Sequence, residues 1–353
     1  MIQTQILREE NGSLNKRRRD RNQLGQTFGA TLEGEFVLQP KYGNHKVAVQ
    51  SELRAKWDVF YRFCRLHSVT GTVTGVVSVS LLPLTSFTDL SPAFFVGLLK
   101  AVIPFAFVNI YVVALNQVVD VGIDKINKPY LVLAAGEYTM GQGKAITSAF
   151  GITCLALAII FQSPPLLYGI IIHFLVGTAY SVEQPLLRWK TKPFLAALGI
   201  GLHAFNLQLA VFCHIQKYVL GRPLIHTKSF VFVLIFFILF ATVLGMFKDI
   251  PDVAGDQAFG NRTFSVRHGK KKVFSVCIFI LLIDYVFAMV TGALLSSFLL
   301  NKFVTVIGHC TLASLLWGRA KSLNLEDDSS VESFYMFLWK LFTAEYVLIQ
   351  FIR

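Results

Sequence analysis

The sequence predicts an all-α integral membrane protein, a bundle of about nine membrane-spanning helices. Hydrophobic residues make up 54% of the 353-residue chain and charged residues only 15%, against about 25% charged in typical soluble domains. The apolar residues lie in runs close to the ~20 residues that a helix needs to cross a bilayer. Helices are expected because a backbone exposed to lipid has to satisfy its own hydrogen bonds.

The first 56 residues differ in composition from the rest of the chain. The stretch NKRRRDRNQLGQ at 15–26 is strongly basic, and its flanks are polar and without helical or strand periodicity. We therefore predict a disordered basic segment over residues 1–56, followed by a membrane domain at 57–353. The arginines are typical of an organelle transit peptide, but the segment also holds acidic residues and little serine. A solvated tail is the alternative.

Nine apolar stretches have the length of membrane spans, and Pro, Gly and charged residues separate them as loops. The eighth stretch is short, and the ninth contains Lys340 and Glu345. The predicted spans are 67–86, 93–115, 142–161, 165–181, 194–213, 229–247, 273–296, 303–318 and 331–350.

The distribution of basic residues supports this count. With nine spans, the amino-terminal segment and the loops at 116–141, 182–193, 248–272 and 319–330 fall on one side of the membrane, and these loops hold most of the loop Lys and Arg. Such an asymmetry is typical of the positive-inside rule. The same side receives both acidic clusters of the chain.

The first acidic cluster follows the second span, in NQVVDVGIDKINKP at 116–129. Asn116, Asp120 and Asp124 are spaced by four residues. If the helix continues past the span, these side chains share one face of it, with neighbouring Cβ atoms about 5–6 Å apart.

The second cluster, KDIPDVAGD at 248–256, repeats that spacing with Asp252 and Asp256, and Asp249 precedes them. Pro251 is suited to begin a fresh helical segment, because a first turn does not use its missing N–H. We interpret the two clusters as an internal pseudo-repeat.

Carboxylates at i and i+4 repel one another, so the pattern favours a positive partner. Magnesium prefers oxygen ligands and is typically held by one or two carboxylates together with substrate phosphates. A single DxxxD at a helix end is more often a solvated, dipole-matched terminus. Two such motifs on one side, each joined to an apolar span and followed by Lys or Arg, indicate a magnesium–diphosphate site in which Lys248 or Arg262 neutralises phosphate charge.

The two motifs resemble those of the UbiA-superfamily aromatic prenyltransferases, and more narrowly the plant homogentisate-type branch with its tocopherol-pathway, flavonoid and coumarin enzymes. NQVVDVGIDKINKP is similar to the motif NQxxDxxxD, and KDIPDVAGD to KDxxDxxGD. The resemblance runs through most of 57–353, including GTAYSVEQPLLRWK at 177–190 and SFYMFLWKLFTAEYVLIQFIR at 333–353. It implies a central cavity, an isoprenyl diphosphate donor, a phenolic acceptor and Mg²⁺ as cofactor.

The resemblance also implies which residues form the site. The metal–diphosphate role falls on Asn116, Asp120, Asp124, Asp249, Asp252 and Asp256, with Lys248 as a catalytic phosphate contact beside the four aspartates of the two DxxxD pairs. The other substrate-binding candidates are Gln117, Lys128, Tyr180, Arg188, Lys190 and Arg262. A membrane-interface anchor is the alternative role for Tyr180, Arg188 and Lys190.

Departures from the branch's usual pattern concern the acceptor. Gly122, Val132, Ala135 and His268 stand where homogentisate-type members usually have an acidic residue, Pro, Ser and an apolar residue, and none removes a motif carboxylate. We therefore expect transfer of a dimethylallyl or geranyl group to a carbon of a plant phenolic such as a coumarin or flavonoid, in a plastid (chloroplast) membrane. Homogentisate phytyl or prenyl transfer, for tocopherol or plastoquinone synthesis, is the alternative.

A membrane transporter is the non-enzymatic alternative, because intramembrane charges such as Asp284 and Lys100 can mark ion pathways. A transporter would place its key charges mid-span, at broken helices, whereas these carboxylates concentrate at span ends. We expect contact with membrane lipid and no nucleic-acid partner. The sequence leaves the oligomeric state open.

Overall fold

The computed structural model describes residues 41–352, with side chains from residue 52 onward, and every regular element in this part of the chain is helical. The chain divides into two units, Met1–Arg54 and Ala55–Arg353. The second unit holds all the candidate site residues.

The first helix, α1, spans Lys41–Phe63. Most of the predicted disordered segment lies outside the described residues, and its last part, 41–56, is helical. Good helix formers such as Ala, Leu, Glu and Lys recur in this stretch. An ion pair one turn apart, from Arg62 Nε to Asp58 Oδ2 at 2.8 Å, supports the last turns.

The described chain is helical at each of the nine positions where the sequence predicts a span. These helices are α2 Leu66–Leu81, α3 Pro92–Asn127, α4 Met140–Ile160, α5 Pro164–Ser181, α6 Pro193–Cys213, α7 Lys228–Phe247, α10 Lys270–Leu295, α11 Leu299–Lys321 and α12 Asp328–Leu348. Two short helices, α8 Val253–Ala258 and α9 Phe264–His268, lie between α7 and α10. A π-helical turn, His214–Val219, extends α6.

Within the described residues, seven of these helices are long and apolar enough to cross a membrane. Helix α2 has 16 residues and is shorter than the others. Helix α12 carries Glu332, Lys340 and Glu345 among its apolar residues. The multi-span α-helical bundle is confirmed, while the count of nine spans and the central cavity stay predictions.

The helices pack in chain order and close into a ring. Each helix from α2 to α7 contacts the next, α7 contacts α10, and α10, α11 and α12 follow in turn before α12 returns to α2. That last contact is close. A Cβ on Gly75 of α2 would lie 2.7 Å from Tyr346 Oη of α12, so a larger residue does not fit there without a shift.

Helix α3 carries the first acidic cluster past the apolar run that predicted it. Its 36 residues span about 54 Å at ~1.5 Å per residue, against ~30 Å for the hydrocarbon of a bilayer. The Ser91 side chain caps its first turn. Its last three turns continue past the apolar run, and they hold Asn116, Asp120 and Asp124 on a continuous helix.

The second cluster is less regular than the first. Helix α7 ends at Phe247, and α8 begins at Val253 rather than at Pro251, with Asp252 in the N-cap position. Asp249 and Asp252 therefore lie in a turn, and only Asp256 is helical. The pseudo-repeat holds for the spacing of the aspartates and is wrong for the backbone, because Pro251 lies in the turn itself.

Candidate active site

The two acidic clusters lie at the same end of the bundle and touch. Lys128, one residue past the end of α3, places its ammonium 2.6 Å from Asp252 Oδ1. Asn127, the last residue of α3, donates from Nδ2 to the Asp252 carbonyl oxygen at 2.9 Å. Residues about 125 positions apart in the chain thus form one polar surface above the apolar helices.

Asp120 is the centre of the α3 half. It is 5% exposed, and Asn116 Nδ2 donates to its Oδ2 at 2.7 Å. The Lys190 ammonium forms an ion pair with the same oxygen. The other oxygen, Oδ1, is buried without a hydrogen-bond partner, although Arg188 Nη2 lies 4.0 Å from it.

Lys190 and Arg188 reach Asp120 from the turn between α5 and α6. A short 3₁₀ turn, Trp189–Thr191, follows Arg188, whose φ of 56° lies in the left-handed region. Arg188 also pairs through Nη1 with Glu183 Oε2 at 2.6 Å. Burial lowers the pKa of the Lys190 ammonium, while the Asp120 carboxylate acts in the opposite direction. Both cations thus lie next to Asp120.

Lys248 and Asp249 begin the second half, directly after α7. Lys248 Nζ donates to Asp249 Oδ1 at 2.8 Å and lies 5.5 Å from the centroid of the Tyr180 ring. Burial raises the pKa of Asp249, and the Lys248 charge beside it acts to lower that pKa. The Tyr180 hydroxyl is buried beside Lys248, and its O–H can donate to an anionic oxygen.

Asp256 is held by neutral donors. Asn261 Nδ2 donates to its Oδ1 at 3.0 Å and Thr263 Oγ1 to its Oδ2 at 3.3 Å. The carboxyl is only 7% exposed, so burial raises its pKa, while the hydrogen bond from Asn261 acts to lower it. Each oxygen keeps lone-pair capacity for another ligand.

Two of the predicted substrate contacts, Gln117 and Arg262, do not pair with the motif carboxylates in the described chain. Gln117 is 1% exposed, and its Nε2 donates to the Phe63 carbonyl at 2.6 Å, so it anchors the end of α1 on α3. Arg262 is exposed, and no ion pair forms at its guanidinium within the described chain. Its backbone N–H donates to the Thr191 carbonyl at 3.3 Å, which ties the loop after α8 to the Lys190 turn.

Several residues of the site were missed at the level of the sequence. Asn127 and Asn261 both lie in or next to the quoted motifs, and short polar side chains near Gly and Pro are the signal that marks them as turn and cap residues. No sequence motif indicated Arg65. It joins α1 to α2 with a φ of 45°, and its positive charge opposes the burial that raises the pKa of Tyr130.

The residues present fit a divalent cation held jointly with a substrate. Among residues 41–352, no three carboxylate, imidazole or thiol groups are placed to hold a metal by themselves. The carboxylates instead face lysines, and magnesium typically takes one or two carboxylates and completes its shell with phosphate and water. Asp120 Oδ1 is a buried oxygen without a partner, and the nearby ligands are all oxygens. Such a surface can hold a cation–polyanion complex.

Comparison with known proteins decides the family. Residues 68–341 match the UbiA prenyltransferase family. The chain belongs to the UbiA prenyltransferase family. It is therefore a prenyltransferase, which confirms the predicted enzyme class. Membership of an enzyme family also excludes the alternative of a membrane transporter.

Relatives and solved structures place the enzyme more narrowly. It is 46% identical to homogentisate phytyltransferase 1 of Arabidopsis thaliana over 86% of this chain and 77% of the relative. It is also 46% identical to coumarin 8-geranyltransferase 1 of Citrus limon, over 85% and 74%. These matches confirm the plant homogentisate-type branch.

The fold also matches a UbiA homolog from Archaeoglobus fulgidus solved with GPP and Mg²⁺. The TM-score is 0.57 at 14% identity, covering 82% of this chain and 99% of that one. The family match and the plant relatives identify the enzyme as a membrane aromatic prenyltransferase of the UbiA type.

Proposed function

We propose that the enzyme transfers a dimethylallyl or geranyl group from its diphosphate to a ring carbon of a plant phenolic such as a coumarin or flavonoid. The observation that carries the proposal is the junction of the two acidic clusters, where Lys128 meets Asp252 and Lys248 meets Asp249 at one end of an apolar bundle. A prenyl diphosphate has one highly charged end and one apolar end. The charged junction suits the diphosphate, and the apolar bundle suits the prenyl chain.

Mg²⁺ fits the carboxylates of this junction, and Asn116, Asp120, Asp124, Asp249, Asp252 and Asp256 are the residues that would hold it. When bound, the ion supplies Lewis-acid neutralisation of the leaving diphosphate. The archaeal homolog of the same fold was solved with Mg²⁺ and GPP, which supports the proposal.

On binding of the diphosphate, the lysines of the site would exchange their carboxylate partners for phosphate oxygens. Lys190, Lys128 and Lys248 each face a carboxylate in the structure. A diphosphate placed between the clusters would offer these ammonium groups phosphate oxygens instead. Tyr180, whose buried hydroxyl lies beside Lys248, would donate to the same anion. The leaving group is thereby stabilised by donors that are already in place.

The reaction itself is an electrophilic aromatic substitution. The bond between the prenyl carbon and the diphosphate oxygen breaks, and the electron pair leaves with the diphosphate. The π electrons of the phenol ring form the new carbon–carbon bond, and the ring then loses a proton. Water would quench the allylic cation, so the apolar helices serve by excluding it.

The acceptor and the membrane are further parts of the proposal. The departures at Gly122, Val132, Ala135 and His268 favour a specialised phenolic, and a coumarin 8-geranyltransferase is among the relatives at 46% identity. The names of both plant relatives carry the word chloroplastic, which favours a plastid membrane. Exposed apolar side chains such as Ile159 and Phe279 would contact its lipid.

Homogentisate phytyl transfer is a second candidate, because the relative from Arabidopsis thaliana is equally identical. The two acceptors differ in chemistry, since homogentisate carries a carboxylate and coumarins and flavonoids do not. An enzyme for homogentisate needs a cation to hold that carboxylate, and Arg65, whose charge acts on Tyr130 just after the first acidic cluster, is one candidate.

The test is an acceptor and donor panel. Membranes containing the full chain are supplied with coumarins, flavonoids and homogentisate, each with isoprenyl diphosphates of increasing length, and prenylated products and released diphosphate are measured. We expect carbon-prenylated coumarin or flavonoid from a short donor, and no turnover after chelation of divalent cations. Turnover of homogentisate with a long donor alone would assign the second candidate. Full turnover in chelated membranes would refute the metal–diphosphate site.

A further inference from the structure

The N-terminus of α8 lacks the cap that its own sequence provides. Asp252 occupies the N-cap position, and aspartate is among the strongly preferred residues there because its oxygen accepts from a first-turn N–H. In this structure Asp252 makes no such bond. Its carboxylate instead faces the Lys128 ammonium. The first-turn N–H groups of α8 therefore require a partner from elsewhere.

Asn127 supplies that partner from the end of α3. Its Oδ1 accepts from the backbone N–H of Gly255 at 2.7 Å, and its Nδ2 donates to the backbone carbonyl of Asp252 at 2.9 Å. Because the N–H can only donate and the carbonyl can only accept, the two contacts fix the orientation of the amide. One side chain thus bonds to both ends of the first turn of α8.

Gly255 makes the approach possible. A Cβ at this position would lie 2.5 Å from Asn127 Oδ1 and 2.6 Å from its Cγ and Nδ2. No side chain fits between the α8 backbone and the Asn127 amide while both hydrogen bonds are kept. The contact therefore requires both a glycine at position 255 and the amide of Asn127.

We propose that Asn127 is a positioning residue that caps α8 in place of Asp252 and so leaves the Asp252 carboxylate free for the metal–diphosphate complex. The inference concerns the same site and rests on the proposed function. Without the Asn127 amide, the Gly255 N–H would take the Asp252 carboxylate as its acceptor, and the cation would lose a ligand. Asn127 also fixes the spacing between the two acidic clusters, because it is the last residue of the helix that carries the first one.

The test measures metal binding directly as well as turnover. Mn²⁺ with inorganic pyrophosphate is titrated into the purified full chain, and bound Mn²⁺ is followed by electron paramagnetic resonance. We expect Asn127→Ala to weaken Mn²⁺ binding and to raise the Mg²⁺ concentration for half-maximal turnover, each on the order of tenfold, as is usual for residues that orient a metal ligand. Gly255→Ala should act in the same direction.

The double variant Asn127→Ala/Gly255→Ala distinguishes one shared contact from two independent defects. Truncation of Asn127 removes the atoms that the Gly255 methyl would meet, so we expect the double variant to fold even where Gly255→Ala alone does not. Its loss of Mn²⁺ affinity should not exceed that of Asn127→Ala. Losses that multiply would overturn the proposal.

Ser91→Ala is the matched control. Asn127 is the last residue of α3, and Ser91 caps the first turn of α3 by accepting a hydrogen bond from Phe94 N at 3.3 Å. It should leave Mn²⁺ affinity unchanged. Wild-type Mn²⁺ affinity in folded Asn127→Ala, or an equal loss in Ser91→Ala, would overturn the inference. If the wild-type chain binds Mn²⁺–pyrophosphate but prenylates no phenol, the proposed acceptor class fails while the role of Asn127 is still decided by the titration.

Discussion

Replacing Asn261 by alanine is predicted to make the enzyme more sensitive to acid. Asn261 Nδ2 donates to Asp256 Oδ1 at 3.0 Å, and this bond favours the ionised carboxylate. Burial already raises the pKa of Asp256, and Asn261 opposes that effect. Removal of the donor therefore raises the pKa of Asp256 further. Since a metal ligand has to be deprotonated, activity is lost at a higher pH than in the wild type.

The size of the effect follows from the strength of the bond. A hydrogen bond to a charged group contributes about 1.5–3 kcal/mol, and about 1.4 kcal/mol corresponds to one pH unit. Asp256 is 7% exposed, so solvent replaces the donor only in part. We expect the acidic limb of the pH profile of kcat/KM to move upward by about one pH unit, with near wild-type activity above it.

The assay is the pH profile at saturating Mg²⁺, measured per folded enzyme. Asn324→Ala is the control, because Asn324 also forms a local side-chain hydrogen bond, accepting from Glu326 N at 3.1 Å, but lies between α11 and α12. An acidic limb that does not move in Asn261→Ala, or a uniform loss of activity at every pH, would refute the assignment of Asp256 as an ionised ligand.

Two further predictions concern the diphosphate and the amino-terminal segment. Lys190→Met should raise the KM for the donor on the order of tenfold, because it removes a charge-assisted phosphate contact and the closer of the two ion-pair partners of Asp120. A donor KM equal to the wild type, measured with the acceptor saturating, would assign Lys190 to structure alone. Removal of residues 1–40 should leave turnover per folded enzyme intact and change localisation, since every site residue lies later in the chain. Truncated protein that reaches membranes without activity would contradict this.

The fold was predictable because its signals are local. Long apolar runs predict helices wherever lipid surrounds the backbone, and each of the nine predicted runs is helical in the described chain. The spacing of Asn116, Asp120 and Asp124 predicted a shared helix face, and α3 continues through all of them. Residues 41–56 show the limit of such a prediction. They are helical, but their polar sequence lacks the periodic apolar residues from which a helix is predicted.

The partners within the site were less predictable, because they come from contacts distant in sequence. Motif resemblance indicated Lys190 and Lys128 as candidates, but only packing shows that Lys190 meets Asp120 and Lys128 meets Asp252. Gln117 stands inside a motif and yet anchors the Phe63 carbonyl, a role that no spacing indicates. Asn127 was missed for the same reason, since its importance depends on the backbone of α8.

The most direct test of the account is a double-mutant cycle across the two clusters. Asp120→Asn and Asp252→Asn keep the size of each side chain and an acceptor for Lys190 and Lys128. Each single variant should lower turnover per folded enzyme by on the order of 10² or more, with little change in the amount of folded protein. If both aspartates serve one metal–diphosphate complex, the double variant should lose far less than the product of the two single losses. Two losses that multiply, or variants that lose folded protein and keep normal turnover per molecule, would contradict a shared site.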